Sequence, residues 1–211
     1  MTATPASFAD LAASLEELHV FHDRETGLQA VIAVDDSRLG PPRGGSRLRA
    51  YPGGLLDAAA DAARLARGMT RKFAVHGIPY GGGKAVLLQD EAGAKDRALL
   101  EARLRAYGRC LERLGGFFAT GPDYGLGAAE VSVIREVTEL AIGGHGTRSG
   151  EATAAGVRVA LELGLAERGQ TIAGARIGIQ GVGAVGGPLA RQLAERGARL
   201  VLAEPQAARL E

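Results

Sequence analysis

The stretch "ARIGIQGVGAVGGPLARQLAERGARLVLAE", residues 175–204, leaves few folds open to the chain that contains it. An apolar run ends in Gly181-Val182-Gly183-Ala184-Val185-Gly186, an amphipathic segment follows, and a second apolar run closes at Glu204. By period this reads as strand, glycine turn, helix, strand. A GxGxxG alone is a weak signal; set between strand and helix it has the context of a dinucleotide-binding fingerprint. Gly181 allows the tight turn, Gly183 lets the backbone reach a pyrophosphate, and Gly186 lets the helix pack on the strand. With Ala184 and Val185 they form the loop whose free N–H groups and helix dipole would face the diphosphate. Glu204, 18 residues past the last glycine, stands where an acid would hydrogen-bond a ribose 2′-hydroxyl. The same acid would repel a 2′-phosphate, which favours NAD, while Arg209 keeps NADP open.

Glycine is abundant throughout, at 32 of 211 residues, about twice the usual share. It clusters in "GPPRGG", "YGGGK", "GPDYGLG" and "AIGGHG", which read as loops lining a cleft. Between them the first 145 residues alternate strands and helices. Strand candidates are "LHVFHD", "LQAVIAVDD", "GSRLRAYP", "KAVLLQD" and "GFFATG". Helical spacing covers 6–17, 55–75, 94–114 and about 128–141. The expected fold class is α/β: a mixed-sheet domain over 1–145, then the beginning of a Rossmann domain over 146–211.

The net charge is +1 and the arginines are dispersed, so neither nucleic acid nor a membrane surface is expected as partner. The single cysteine, Cys110, excludes an internal disulfide and makes a reducing, cytoplasmic setting the expectation. The N-terminal segment lacks a signal peptide's basic start and apolar core. His19, His22, His76 and His145 show no ligand spacing, so no metal is expected.

Positive charge is carried almost wholly by arginine. Of 25 basic residues only Lys72, Lys84 and Lys95 are lysine, and two of them lie twelve positions apart in "RKFAVHGIPYGGGKAV". Arginine keeps its proton in proteins, whereas a lysine can be pushed to release one. "YGGGKA" is no Walker A loop, because Ile78 stands where that loop needs glycine and Ala85 where it needs Ser or Thr.

Taken together, "GPPRGGSRL", "DAARLARGMTRKFAVHGIPYGGGKAV", "TGPDYG", "EATAAGV" and "GVGAVG" resemble the Glu/Leu/Phe/Val amino acid dehydrogenases, closest to the leucine/valine/phenylalanine branch. The resemblance implies NAD-dependent oxidative deamination of an L-amino acid. It also implies an N-terminal domain for substrate binding and oligomerisation, and a homo-oligomer. Position by position it implies that Lys72 binds the substrate α-carboxylate and that Lys84 is the acid/base activating water at the imine carbon. Asp123 would exchange a proton with the amino group, Gly44 and Gly45 would shape the wall near the carboxylate, and Thr153 would meet the nicotinamide end of NAD. A base near working pH is needed, and an ordinary lysine at about 10.4 titrates too high. A dry site beside a second ammonium, that of Lys72, lowers it.

Three points stay open in the sequence. "GPDYG" reads either as a catalytic aspartate or as a turn in which Asp123 bonds its own backbone. Arg43 stands where branched-chain members carry an apolar residue; it either meets a polar substrate side chain, as in a glutamate-type enzyme, or turns to solvent. Finally, a dinucleotide fold uses two βαβαβ halves, and only seven residues follow Glu204. A C-terminally truncated chain is therefore expected, with apolar strand surface left open. A non-catalytic fragment that keeps substrate-domain folding and oligomer contacts is the alternative.

Overall fold

Helix α2 (Gly54–Val75) shows how composition becomes packing. Its buried face is all alanine: Ala58, Ala59, Ala62, Ala63 and Ala66. Alanine is the best helix former, and its small side chain lets the helix axis lie close to a sheet. The computed structural model describes residues 7–143 and 148–210. The chain divides into two compact units, Met1–Gly146 and Thr147–Glu211.

In the first unit a short capped helix, α1 (Phe8–Ala13), precedes the hairpin of β1 (Glu17–His22) and β2 (Gln29–Asp36). Then come β3 (Pro42–Arg49), α2 and β4 (Gly81–Leu88). The sheet order is β1-β2-β4-β3-β5, with β5 at Ala119–Pro122. β2 pairs antiparallel with β1 and β4, while β3 pairs parallel with β4 and β5, so the sheet is mixed.

Each sheet face has its own core. On one, the alanines of α2 meet Val31, Ala33 and Val86. On the other, Ile32, Ala85, Leu87 and Phe118 pack against Leu104, Tyr107 and Leu111 of α4 (Arg97–Arg113) and Val131 and Ile134 of α5 (Ala128–Arg135). Strand side chains alternate between faces. Lys84, next to Ala85 and Val86, therefore lies on the α2 side.

Two expectations about glycine need correcting. The "PRGG" part of "GPPRGG" (42–45) and "GGG" (81–83) are strand, inside β3 and β4, where these glycine clusters were read as loop. What they provide is close approach. A Cβ on Gly44 would fall on the carbonyl of Gly83, and one on Gly82 would strike Thr70 and the Ala66 carbonyl of α2. The helix expected over 94–114 is broken at Asp96. This residue closes the short α3 (Glu91–Lys95) and caps α4 by accepting from Ala98 N and Leu99 N. The helix expected over about 128–141 ends at Arg135.

The second unit runs α6 (Ser149–Ala166), β6 (Arg176–Gln180), α7 (Gly186–Ala194) and β7 (Arg199–Ala203), with β6 and β7 parallel. This is the strand–helix–strand start of a Rossmann domain, and only part of that domain is in the chain. Its core gathers Ala154, Ile179, Leu189, Ala190 and Leu193, while Leu163 and Val201 remain more than half exposed. Among the described residues no helix is long and apolar enough to cross a membrane.

Candidate active site

Lys84 is 5% exposed in the middle of β4. A lysine so placed needs a partner, since burying an unpaired charge is costly. It has one: its Nζ lies 3.1 Å from Oδ1 of Asp123. Asp123 follows β5 and opens a tight turn in which Asp123 and Leu126 exchange both backbone hydrogen bonds. The turn is tied to β3 by the Leu48 N–H donating to the Tyr124 carbonyl. The carboxylate is turned toward the sheet and pairs with two cations, while the backbone of "GPDYG" forms the turn.

The second cation is Arg47 of β3, whose Nε donates to Asp123 Oδ2 at 3.0 Å. Its Nη1 donates to Asp61 of α2 at 2.8 Å, and Asp61 also accepts from the Tyr51 hydroxyl at 2.7 Å and from Arg64. Gly45 makes room for this cluster. A Cβ there would stand 2.8 Å from the Pro122 carbonyl, 3.0 Å from Asp123 Cβ and 3.1 Å from Lys84 Nζ.

Electrostatics follow the geometry. Burial is the largest influence on Lys84 and pushes its pKa down; Asp123 pulls it back up and Arg47 pushes it down again, leaving it below the ordinary lysine value. For Asp123, burial raises the pKa, but Lys84 and Arg47 outweigh it and hold the carboxyl below its usual range. A buried lysine whose pKa is lowered, paired with an ionised carboxylate, is a group that can exchange protons with a bound molecule.

The structure thus brings Lys84, Asp123, Gly44 and Gly45 together. Lys72 is exposed in the last turn of α2, and no carboxylate among the described residues pairs with it. The cation sharing Asp123 with Lys84 is Arg47, where the sequence reading expected Lys72 as the neighbouring charge. Arg43 is half-buried, with its guanidinium 5.3 Å from the Tyr80 ring centroid. Strand parity offered a signal for Arg47, because Arg43, Gly45 and Arg47 alternate onto one face of β3. Asp61 gave none: it lies among the alanines of α2, and which group of the sheet it meets is fixed only once the helix is packed. His145 lies outside the described residues, and among those described no cluster of His, Cys, Asp and Glu could hold a metal.

In the second unit Gly181 has φ +91°, a conformation that favours glycine, and its N–H donates to the Ala203 carbonyl. A Cβ on Gly186 would fall on the Gly181 carbonyl, so the turn requires glycine there; a Cβ on Gly183 would meet only the Arg209 guanidinium, in ordinary contact at 3.7 Å. Ala184 and Val185 lead into α7. Glu204 folds back on this loop, accepting from Val182 N at 2.7 Å and from Gln206 N at 3.0 Å, with Arg209 at 4.0 Å. Those hydrogen bonds lower its pKa and keep it ionised. Thr153, exposed in α6, donates to the Ser149 carbonyl one turn earlier. A tight glycine turn at a helix start, its middle glycine bordered only by a flexible arginine, fits a dinucleotide diphosphate.

Comparison with known proteins agrees with this layout. Residues 15–139 match the family model "Glu/Leu/Phe/Val dehydrogenase, dimerisation domain", and 143–205 match "Glutamate/Leucine/Phenylalanine/Valine dehydrogenase". The chain belongs to this dehydrogenase family. Leucine dehydrogenase of Geobacillus stearothermophilus is 36% identical over 196 residues, covering 90% of this chain and 52% of that protein. Phenylalanine dehydrogenase of Bacillus thermotolerans is also 36% identical, covering 90% of this chain and 50% of that one. The crystal structure of L-tryptophan dehydrogenase from Nostoc punctiforme superposes with a TM-score of 0.67 at 33% identity, covering 92% of this chain and 56% of that one. The hetero-hexameric glutamate dehydrogenase of Thermus thermophilus superposes with a TM-score of 0.76 at 28% identity, covering 93% and 52%. The family member described here spans about half the length of these relatives.

Proposed function

We propose that this chain carries the substrate side and the first part of the cofactor side of an NAD-dependent L-amino acid dehydrogenase. The substrate would be of the leucine/valine/phenylalanine type. The observation that carries the reading is the buried Lys84, 3.1 Å from Asp123 and shielded by α2. Residues 1–145 would bind substrate and make the oligomer contacts. Residues 146–211 would hold NAD through Gly181, Gly183, Ala184, Val185 and Gly186, with Glu204 near the ribose and Thr153 toward the nicotinamide. NAD, when bound, supplies the hydride acceptor for the substrate Cα–H.

The chain's own residues do the rest. Lys72 holds the α-carboxylate as a point charge, beside the wall made by Gly44 and Gly45. Asp123 takes the proton that the substrate ammonium must lose before its nitrogen can form a C=N bond. Neutral Lys84 takes a proton from water as the oxygen attacks the imine carbon, and the C–N bond then breaks to release ammonia and the 2-oxo acid. Burial supports this role by disfavouring the charged amine. Arg43, half-buried on the same strand face, favours a second reading in which the substrate side chain is polar or acidic. A homo-oligomer is supported by the dimerisation-domain match.

The test is NADH formation from a panel of L-amino acids. It is run on this chain alone and on this chain joined to the downstream half of the leucine dehydrogenase relative, with Lys84→Ala as control. Turnover lost in Lys84→Ala supports the reading. A folded, self-associating protein without turnover in either form refutes it and leaves the non-catalytic alternative.

A further inference from the structure

Arg47 is the one residue of the cluster that holds both of its carboxylates. Its Nε bonds Asp123 Oδ2 and its Nη1 bonds Asp61 Oδ2, so its guanidinium plane is clamped between the turn after β5 and helix α2. Asp61 is anchored in turn by the Tyr51 hydroxyl and Arg64. Asp123 consequently has one oxygen committed to a permanent cation and only the other, Oδ1, left for Lys84.

We propose that Arg47 is the positioning residue of the Lys84–Asp123 pair: it sets which oxygen faces Lys84 and competes with Lys84 for the carboxylate charge. The proposal deepens the dehydrogenase reading and takes its chemical meaning from it. The physical reason is charge balance in a dry site. A carboxylate belonging to Lys84 alone would lock the ammonium in its charged form. With Arg47 permanently charged on the second oxygen, Asp123 is already neutralised when Lys84 gives up its proton, and no uncompensated anion is left behind. The charged groups that act on Lys84 are Asp123, Arg47 and Asp61. Other charges on the same elements have their own partners: Arg64 pairs with Asp61, Arg67 with Asp35, which also accepts from Thr70 at 2.7 Å, and Arg43 lies over Tyr80, while Lys72 is exposed in the last turn of α2. Only Arg47 touches the same carboxylate.

The chain's three lysines make the test direct. Intact protein labelled at lysine Cε yields three NMR signals, assigned with Lys72→Arg and Lys95→Arg and followed against pH. In Arg47→Met, Asp123 belongs to Lys84 alone, and the neutral fraction of Lys84 at neutral pH falls about tenfold. In Asp61→Asn, Arg47 loses its second anion, its charge is felt more strongly by Lys84, and that fraction rises. Opposite signs are the signature, because general loosening of the fold would move both variants toward an ordinary lysine. An unchanged Lys84 titration in Arg47→Met, or the same direction in both variants, overturns the proposal. If Arg47→Met does not fold, Asp61→Asn decides: a rise supports the proposal, and no change or a fall overturns it. The titration needs neither cofactor nor turnover, so its failure is distinct from failure of the NADH assay.

Discussion

Asp123→Asn removes the charge on which two cations converge while keeping the side chain's size. At 3.1 Å the Asp123–Lys84 attraction amounts to about 5 kcal/mol at an effective dielectric near 20, and the Arg47 contact at 3.0 Å is similar. These attractions are partly offset by desolvation, and asparagine can still accept one hydrogen bond. The expected loss of stability is therefore the roughly 3–5 kcal/mol typical of breaking a buried pair from one side. The loss must depend on pH. In the variant Lys84 faces Arg47 without its anion, so its folded-state pKa, already depressed, falls further below the unfolded value. A lysine depressed in the folded state costs stability at low pH and gives it back as pH rises, because the unfolded chain then binds the extra proton. The variant's penalty should be largest near pH 6 and shrink between its own Lys84 midpoint and that of the wild type, by about 1.4 kcal/mol per pH unit. Urea unfolding followed by far-UV circular dichroism from pH 6 to 9.5 reads this directly, and the chain has no tryptophan to follow instead. A penalty that stays flat over that range would refute the claim that Lys84 and Asp123 share one electrostatic unit.

Two further outcomes are expected. Tyr107 is fully buried beneath the site, its hydroxyl 2.7 Å from Ser46, which also bonds Thr120. Tyr107→Phe should cost about 1 kcal/mol in urea unfolding at unchanged m, since Ser46 keeps its other partner; no measurable cost would remove this anchor from the account of β3 and β5. Asp90 accepts twice from the buried Arg103, which holds its pKa at about 2 against an ordinary 3.8. Its stabilisation is present above pH 3.8 and lost as pH falls toward 2. Because Asp90 is half open to water, that loss should be no more than about 1 kcal/mol, and Asp90→Asn should flatten the acid limb of the stability curve by that amount.

The dinucleotide turn could be read from local sequence because its demands are local. Gly181 needs a backbone that side chains disfavour, Gly186 needs space against a carbonyl five residues back, and both are set within a few positions along the chain. The α2 helix was equally plain, since the helical spacing over 55–75 needs no distant partner, and Gly77, at φ +61°, follows its end. Other glycines misled for a physical reason. Gly44 and the run 81–83 were read as loop, yet they serve strands pressed against each other and against α2, and that pressure exists only after folding.

The site divides in the same way. The scarcity of lysine marked Lys84 together with Lys72, whereas Asp123 was singled out by the family resemblance, "GPDYG" by itself reading equally as a turn. The cation beside them is a different matter, because which one shares the carboxylate depends on how β3 lies between β4 and β5 and how α2 is turned above them. Short-range backbone geometry is encoded residue by residue; a shared charge is a meeting of four distant segments, and only the packed sheet brings residues 47, 61, 84 and 123 together.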